Sequence, residues 1–334
     1  MSNDQPRTDT STYKLNHTMV RVKDPKRSVK FYEDNFGMSL INKLDHPDAK
    51  FCLYFLAFDS SEADSYGKTW TDREGLLELT HNYGTEDDPN YKVNNGNDDP
   101  EHQDKYGKLT LPSAISVNNI TRACEELSAA GVQFKEHPSK DRSLNACQED
   151  IVYALDPDGY YIAILQLPVA ASEAPQKPKW RFSHTMLRVK DLEASTLFYA
   201  SYLGMATLYR TKSQGKADSE QAFMGYRPSE YGRNSLDSIL KREGVLELVQ
   251  YYGTEKQDNV KYHNGNDQPQ GFGHVCISVD DLDLACARFE GLEGIRWRKR
   301  LTDGRMKNVA FLLDPDGYWV EVIQNEALKK RANW

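Results

Sequence analysis

The sequence predicts an α+β protein in which one domain occurs twice in tandem, each copy made of two β-α-β-β-β modules. The first reason is the order of local patterns, because an alternating strand, a capped helix and further strands follow one another in each module. The second reason is repetition. The segment that begins at His17 returns at His184, and the Asp-Pro-Asp-Gly turn at Asp156 returns at Asp314.

The first half begins with an alternating strand over 15–24 and continues with a helix that is bounded on both sides. Asp24 and Pro25 supply an N-cap and a proline at N1, and the helix is expected to stop at Gly37. The further elements of this half are strands near 38–44, 50–58 and 76–82, then strand 109–117, helix 119–130 and strands near 132–136, 150–155 and 160–166.

The second half repeats this plan after a Pro-spaced linker, and ends with a helix over 281–291 and strands near 294–298, 307–313 and 317–323. The expected domain organisation is a disordered tail over 1–12, a first domain over 13–167, the linker over 168–179, a second domain over 180–326 and a C-terminal tail over 327–334.

Composition and charge exclude several classes of function. The 334 residues carry a net charge of −8 and no dense basic cluster, so nucleic acid is not an expected partner. No apolar run approaches the length of a membrane span, and the polar N-terminus lacks the apolar core of a secretory signal. Five cysteines without paired spacing indicate reduced thiols and predict a cytoplasmic protein.

Four side chains on four predicted strands of the second half could ligate a metal: His184, Glu247, His274 and Glu321. Each alone has a simpler explanation, as a core histidine or an edge glutamate. Together they offer nitrogen and oxygen donors that suit Zn, Ni, Fe, Mn or Co, and the lack of cysteine is unlike a closed structural zinc site.

The first half keeps only part of this set. His17 and Glu78 persist, but Pro112 stands opposite His274 and Ala163 stands opposite Glu321. Proline and alanine have no side-chain donor. The early strands of the first half are therefore equipped to bind a metal, and its late strands are not.

Long motifs along the chain, several of them present in both halves, resemble glyoxalase I (lactoylglutathione lyase) of the vicinal oxygen chelate superfamily, in its double-length fused fungal form. The motifs are His-Thr-Met-(Val/Leu)-Arg-Val-Lys-Asp, Leu-Glu-Leu, Gly-Thr-Glu, His-Asn-Gly-Asn, Gly-Phe-Gly-His and Asp-Pro-Asp-Gly-Tyr. The resemblance implies clefts shared between the halves. One composite site would then hold His17, Glu78, His274 and Glu321. The other would combine His184 and Glu247 with Pro112 and Ala163, and would be degenerate.

The resemblance also implies residues that bind glutathione. Arg21 and Asn82 match positions near the γ-glutamyl carboxylate, whereas Lys299, Arg305 and Met306 match positions that contact the glycine carboxylate or close over the ligand. Gln270 stands where some relatives have arginine, and the second half has Arg188 and Tyr251 in place of Arg21 and Asn82. Each cation alone could also be a solvated surface charge.

The implied reaction converts the methylglyoxal–glutathione hemithioacetal to S-lactoylglutathione through an enediolate, with Glu321 as the base. We expect one divalent metal, Zn²⁺ with Ni²⁺ as the alternative, glutathione as co-substrate, a monomer and no obligate protein partner. A ring-cleaving dioxygenase on the same scaffold and a metal-free ligand-binding protein are the alternative functions. The metal used in the cell, the occupant of the second cleft, the oligomeric state and the range of 2-oxoaldehydes stay open.

Overall fold

The computed structural model describes residues 8–61, 63–96, 113–135, 151–168, 178–213, 219–226 and 235–331. Within these residues the chain forms two eight-stranded mixed sheets flanked by short helices. The predicted α+β class and the tandem pairs of β-α-β-β-β modules are confirmed.

The first half contains two modules. The first module consists of β1 (Lys14–Val22), α1 (Pro25–Phe36), β2 (Ser39–His46), β3 (Phe51–Ala57) and β4 (Leu76–Asn82). The second module consists of β5 (Ser113–Val117), α2 (Ile120–Ala129), β6 (Gln133–Phe134), β7 (Ile151–Leu155) and β8 (Tyr161–Gln166). The first part of the expected strand over 109–117, including Pro112, lies outside the described residues.

The second half repeats the two modules, with a short α-helix before the last strand of the third module where the first half has a 3₁₀-helix at Trp70–Asp72. The third module consists of β9 (Trp180–Arg188), α3 (Leu192–Ser201), β10 (Ala206–Ser213), β11 (Ser219–Gly225), α4 (Leu236–Leu240) and β12 (Val245–Tyr251). The fourth consists of β13 (Phe272–Val279), α5 (Leu282–Glu290), β14 (Arg296–Lys299), β15 (Val309–Leu313) and β16 (Trp319–Gln324).

Each sheet combines one module from each half. The strand order is β14-β15-β16-β13-β1-β4-β3-β2 in the first sheet and β10-β11-β12-β9-β5-β8-β7-β6 in the second. The halves join where β1 pairs antiparallel with β13 and where β5 pairs antiparallel with β9. The first module of the chain thus shares a sheet with the last module, and the two middle modules share the other.

Helix α1 shows how the local sequence builds these modules. The Asp24 side chain accepts hydrogen bonds from the backbone N–H groups of Lys26 and Arg27, and Gly37 ends the helix at a φ of 71°. Tyr32 and Phe36 then bury their rings in the core that also contains Leu77 and Leu79 of β4. Full burial of such side chains contributes about 1.5–3 kcal/mol each. The opposite face of β4 is left for Glu78, Thr80 and Asn82.

The two Asp-Pro-Asp-Gly turns connect the sheets. The carboxylate of Asp156, in the turn before β8, accepts a hydrogen bond from the Tyr32 hydroxyl of α1 at 3.1 Å. Asp314 and Tyr199 repeat this contact in the second half, also at 3.1 Å. The helix and the turn belong to modules of different sheets, so each repeated turn fastens one sheet to the other.

The chain ends are more ordered than the sequence predicts. The expected disordered tail over 1–12 is corrected at Thr10–Thr12, which form a 3₁₀-helix. Thr8 and Asp9 both donate hydrogen bonds to Asp280 of the second half. The C-terminal segment leaves β16 and contacts the first half, since Asn325 donates to Asp72 at 2.8 Å. Among the described residues, no helix is long and apolar enough to cross a membrane.

Candidate metal centre and substrate cleft

Four buried donor side chains converge on the sheet that combines the first and last modules. They are His17 of β1, Glu78 of β4, His274 of β13 and Glu321 of β16. Their strands are neighbours in the order β16-β13-β1-β4, and one ligand atom from each residue lies within 4.8 Å of all the others. The sheet therefore brings together the composite set that the sequence analysis expected.

The distances within this group are those of a compact centre. The Nε2 atom of His17 lies 2.9 Å from Oε2 of Glu78 and 3.1 Å from Oε2 of Glu321. The Nε2 atom of His274 lies 3.7 Å and 3.4 Å from the same two oxygens. The two Nε2 atoms are 3.3 Å apart, so all four groups face one point.

Electrostatics within the group favour a cation. Burial opposes ionisation of Glu78, but hydrogen bonds from His17 and His274 outweigh it and hold the Glu78 pKa at about 2. Burial also opposes protonation of His274, but the charge of Glu321 raises its pKa to about 9. The pKa of His17 is raised against burial by hydrogen bonds to Glu321 and Glu78. The buried carboxylates thus favour positive charge beside them, and a divalent cation bound by the four side chains would supply that charge.

The residues around the four donor side chains are apolar and aromatic. Phe55 meets the His17 ring edge-on at 5.3 Å between centroids, and Phe311 meets the His274 ring at 5.4 Å. Trp70 stacks on Phe55 at 4.5 Å, and Trp319 lies 5.4 Å from Phe311. These rings exclude water from one side of the centre and strengthen the electrostatic interactions inside it.

The second set of predicted ligands is incomplete in the described part of the chain. His184 and Glu247 do meet, at 3.3 Å between Nε2 and Oε2. At the position that matches Glu321, Ala163 belongs instead to an apolar cluster with Leu165 and Met186. Pro112 lies outside the described residues. The structure thus brings His184 and Glu247 together but gives them no carboxylate from β8.

A cleft of about 1160 Å³ opens beside the complete group and contains every predicted substrate-binding residue. Arg21 and Asn82 line it on one side. The Arg21 guanidinium donates to the backbone carbonyls of Gly265, Gly271 and Phe272 at 3.3 Å and to Oδ1 of Asn266 at 2.9 Å. This arginine of the first half is therefore held by a loop of the second half.

Lys299, Arg305 and Met306 line another part of the same cleft. The Lys299 ammonium donates to the carbonyls of Met306 at 2.7 Å and of Val309 at 2.8 Å. These two hydrogen bonds stabilise the loop between β14 and β15. The Lys299 ammonium therefore already has backbone oxygens as hydrogen-bond partners. Arg305 is exposed and has no hydrogen bond or ion pair to the part of the chain that the structure describes.

The C-terminal segment adds cations that the sequence analysis missed. Lys329, Lys330 and Arg331 line the cleft, although a tail was expected there. Lys329 pairs with Asp281 at 2.5 Å, and Arg331 pairs with Asp283 at 2.7 Å. Lys330 has no such partner within the described ranges. Only the abundance of basic residues near the end of the sequence could have indicated this contribution.

Comparisons with known proteins agree with this geometry. The chain matches the family model of the glyoxalase/bleomycin resistance protein/dioxygenase superfamily over residues 14–164 and 181–322. It is 44% identical to "Glyoxalase I" of Saccharomyces cerevisiae over 318 residues, with 93% of this chain and 92% of the relative covered. It is 45% identical to "Lactoylglutathione lyase" of Schizosaccharomyces pombe over 326 residues, with 96% and 99% covered.

A crystal structure of glyoxalase I from Zea mays is also similar, with a TM-score of 0.64 and 25% identity. The match covers 94% of this chain and 93% of the maize chain. Within the superfamily, the chain therefore belongs to the glyoxalase I family, as the motifs indicated.

Proposed function

We propose that this chain is a lactoylglutathione lyase, which isomerises the hemithioacetal of methylglyoxal and glutathione to S-lactoylglutathione in one composite active site. The observation that carries the proposal is the four-ligand group, supplied by both halves and opening into a cleft with cationic side chains on two sides. The two fungal relatives described above carry the names of this activity.

His17, Glu78, His274 and Glu321 would hold one divalent cation, for which we propose Zn²⁺, with Ni²⁺ as the alternative. Two imidazole nitrogens and two carboxylate oxygens suit either ion, and their pairwise spacing below 4.8 Å fits a single ion. When bound, the cation supplies Lewis-acid stabilisation for the negative charge that develops on the two vicinal oxygens of the substrate.

Glu321 is the better placed of the two carboxylates to act as the base. Its side chain is 11% exposed, against 3% for Glu78. Glu78 also accepts a hydrogen bond from the Thr80 hydroxyl at 2.7 Å, which occupies its second oxygen. Glu321 would take the proton from the carbon that bears sulfur and return it to the neighbouring carbon. The product has the composition of the substrate, so the step needs no oxidant.

The charged ends of the cleft suit the two carboxylates of glutathione. Arg21 and Asn82 would hold the γ-glutamyl end. Nη1 of Arg21 and one N–H of Nη2 are held by the loop of the second half, so Nε and the other N–H of Nη2 would form the paired hydrogen bonds with a carboxylate. Met306 would close over the ligand, and Lys299 would hold the Met306 loop in place. Because the Lys299 ammonium already has backbone partners, Arg305 and Lys330 are the cations we assign to the glycine carboxylate.

The two alternative functions are less well supported. A ring-cleaving iron dioxygenase uses two histidines and one carboxylate, whereas this centre has a second buried carboxylate. A metal-free ligand-binding protein would not require four buried donor side chains that converge on one point. The incomplete His184–Glu247 pair is consistent with a second cleft that binds no metal.

The direct test is to assay the purified chain for thioester formation from methylglyoxal and glutathione. We expect activity that is lost after chelation, restored by Zn²⁺ or Ni²⁺ and equal with and without dioxygen. A metal-loaded protein that forms no thioester, or one that consumes dioxygen with a catechol, would overturn the proposal.

A further inference from the structure

Asn16 makes contacts that connect the candidate ligand His17 to a distant segment of the chain. It is fully buried, and its Oδ1 lies 2.7 Å from Nδ1 of His17. Its Nδ2 donates to the backbone carbonyls of Trp70 and Arg73, each at 2.8 Å. All three polar contacts of this side chain are therefore made inside the protein.

Adjacent residues of a regular strand point to opposite faces, and a β-bulge explains why these two side chains meet. The register of β1 against β13 shifts between Leu15 and His17, so Asn16 has no partner in the ladder. Bulges of this kind re-aim side chains near active sites. Here the bulge turns Asn16 towards the imidazole of its neighbour.

The two carbonyls fix the orientation of the Asn16 amide. If the amide were flipped, Oδ1 would face the carbonyl oxygens of Trp70 and Arg73, and no hydrogen atom would lie between any of these oxygens. Oδ1 must therefore face His17 and act as an acceptor. It follows that Nδ1 of His17 carries a proton, because an amide oxygen accepts and cannot donate.

We propose that Asn16 is a positioning residue that fixes the tautomer and the ring orientation of His17, leaving Nε2 as the metal-binding atom. This inference rests on the proposed metal site. Histidine ligands commonly donate their second ring nitrogen in this way, and loss of such a partner typically weakens metal binding 10–100-fold. Asn16 couples that orientation to the segment Trp70–Arg73.

The second half has a weaker version of the same contact. Ser183 occupies the equivalent bulge beside His184, and its Oγ lies 3.1 Å from Nδ1 of His184. A hydroxyl can donate or accept, and the contact of Ser183 with the Ile239 carbonyl is long, at 3.5 Å. Ser183 therefore does not specify the tautomer of His184. This weaker contact occurs in the half-site that lacks a carboxylate from β8.

The test is the Zn²⁺ affinity of the metal-stripped full chain, measured by competition with a chromophoric chelator. Asn16→Ala should bind Zn²⁺ about 10–100-fold more weakly than wild type. Asn16→Asp still accepts from Nδ1 but loses the hydrogen bonds to Trp70 and Arg73, and should bind Zn²⁺ more tightly than Asn16→Ala. Ser183→Ala is the matched control and should leave the affinity unchanged.

The paired variants separate positioning from general destabilisation. Wild-type affinity in Asn16→Ala, or an equal loss in Asn16→Asp and Asn16→Ala, would overturn the inference. Circular dichroism checks that each variant folds. If Asn16→Asp does not fold, Asn16→Ser, whose hydroxyl can still accept from Nδ1, should bind Zn²⁺ more tightly than Asn16→Ala, and equal affinities of these two variants would overturn the inference. Should the wild-type chain bind neither Zn²⁺ nor Ni²⁺, the metal site itself fails, and this inference with it.

Discussion

Nε2 of His17 lies 3.1 Å from Oε2 of Glu321, although the two residues belong to the first and the last strand of the chain that the structure describes. They meet because β1 pairs with β13, and β16 is the next strand beyond β13. Neither half could assemble this contact alone. Fusion of the two halves therefore supplies within one polypeptide the pairing that the centre requires.

Replacement of Glu321 and replacement of Glu247 should have different consequences. Glu321→Gln removes the proposed base and should lower kcat for thioester formation at least about 100-fold, the usual lower range for loss of a general base. Glu247→Gln alters only the incomplete pair with His184 and should leave kcat near the wild-type value. Steady-state kinetics on both metal-loaded variants decide between the two sites. Loss of activity in Glu247→Gln with an active Glu321→Gln would move the reaction to the second half.

Arg21→Lys tests the proposed recognition of the γ-glutamyl carboxylate. Lysine keeps the charge but cannot form the paired hydrogen bonds of a guanidinium, so KM should rise by roughly tenfold while kcat changes little. Arg188→Lys, the same change at the equivalent position of the second half, controls for the loss of a guanidinium there and should leave KM unchanged. An unchanged KM in Arg21→Lys would contradict the assignment.

Lys330→Met tests whether the C-terminal segment takes part in binding. An exposed charge pair is worth about 0.2–1 kcal/mol, so the affinity for an S-alkylglutathione should fall by a factor between about 1.4 and about 5. The difference from wild type should shrink at high salt, because salt screens exposed charges. Lys26→Met removes an exposed lysine that does not line the cleft and serves as the control. Equal affinities of both variants and the wild type would exclude a role for Lys330.

Glu243 should make folding stability depend on pH. Burial, with repulsion from Asp64 and Glu74, raises the pKa of Glu243 from 4.5 to about 7, although Arg181 and Arg73 oppose the shift. The folded chain therefore binds a proton more tightly than the unfolded chain. The stability gained from that proton is complete below pH 4.5 and is lost as the pH rises through about 7, which amounts to roughly 3 kcal/mol.

Glu243→Gln removes this ionisation, so the variant should gain stability relative to wild type between about pH 5 and about pH 8. Urea unfolding of both proteins at the two pH values measures the gain, and other titrating groups cancel in the difference. Parallel pH dependences would contradict a raised pKa for Glu243.

Much of the architecture could be predicted because the signals are local and repeated. Alternation placed Met19 and Arg21 on the face of β1 that lines the cleft, and Asp24 and Gly37 bounded the first helix. The pairing of the first module with the last was predicted from the donor side chains. The first half has Pro112 and Ala163 opposite His274 and Glu321, so a complete set requires residues from both halves. The secondary-structure propensities of the residues carry no information about which modules share a sheet.

The remaining features depend on three-dimensional contacts that no local pattern encodes. The contact between Asn16 and His17 requires a bulge and two carbonyls from a distant segment. Lys299 was expected at the ligand, but backbone carbonyls of its own loop surround its ammonium. Lys330 lies in a segment whose sequence has no strand or helix pattern. Its neighbours Lys329 and Arg331 position this segment through ion pairs with the start of helix α5.

The metal content of the purified chain tests the shared centre most directly. Elemental analysis should give about one Zn²⁺ or Ni²⁺ per chain, His17→Ala should reduce it towards zero, and His184→Ala should leave it unchanged. Two ions per chain, or loss of the metal in His184→Ala with retention in His17→Ala, would contradict a single centre built from both halves.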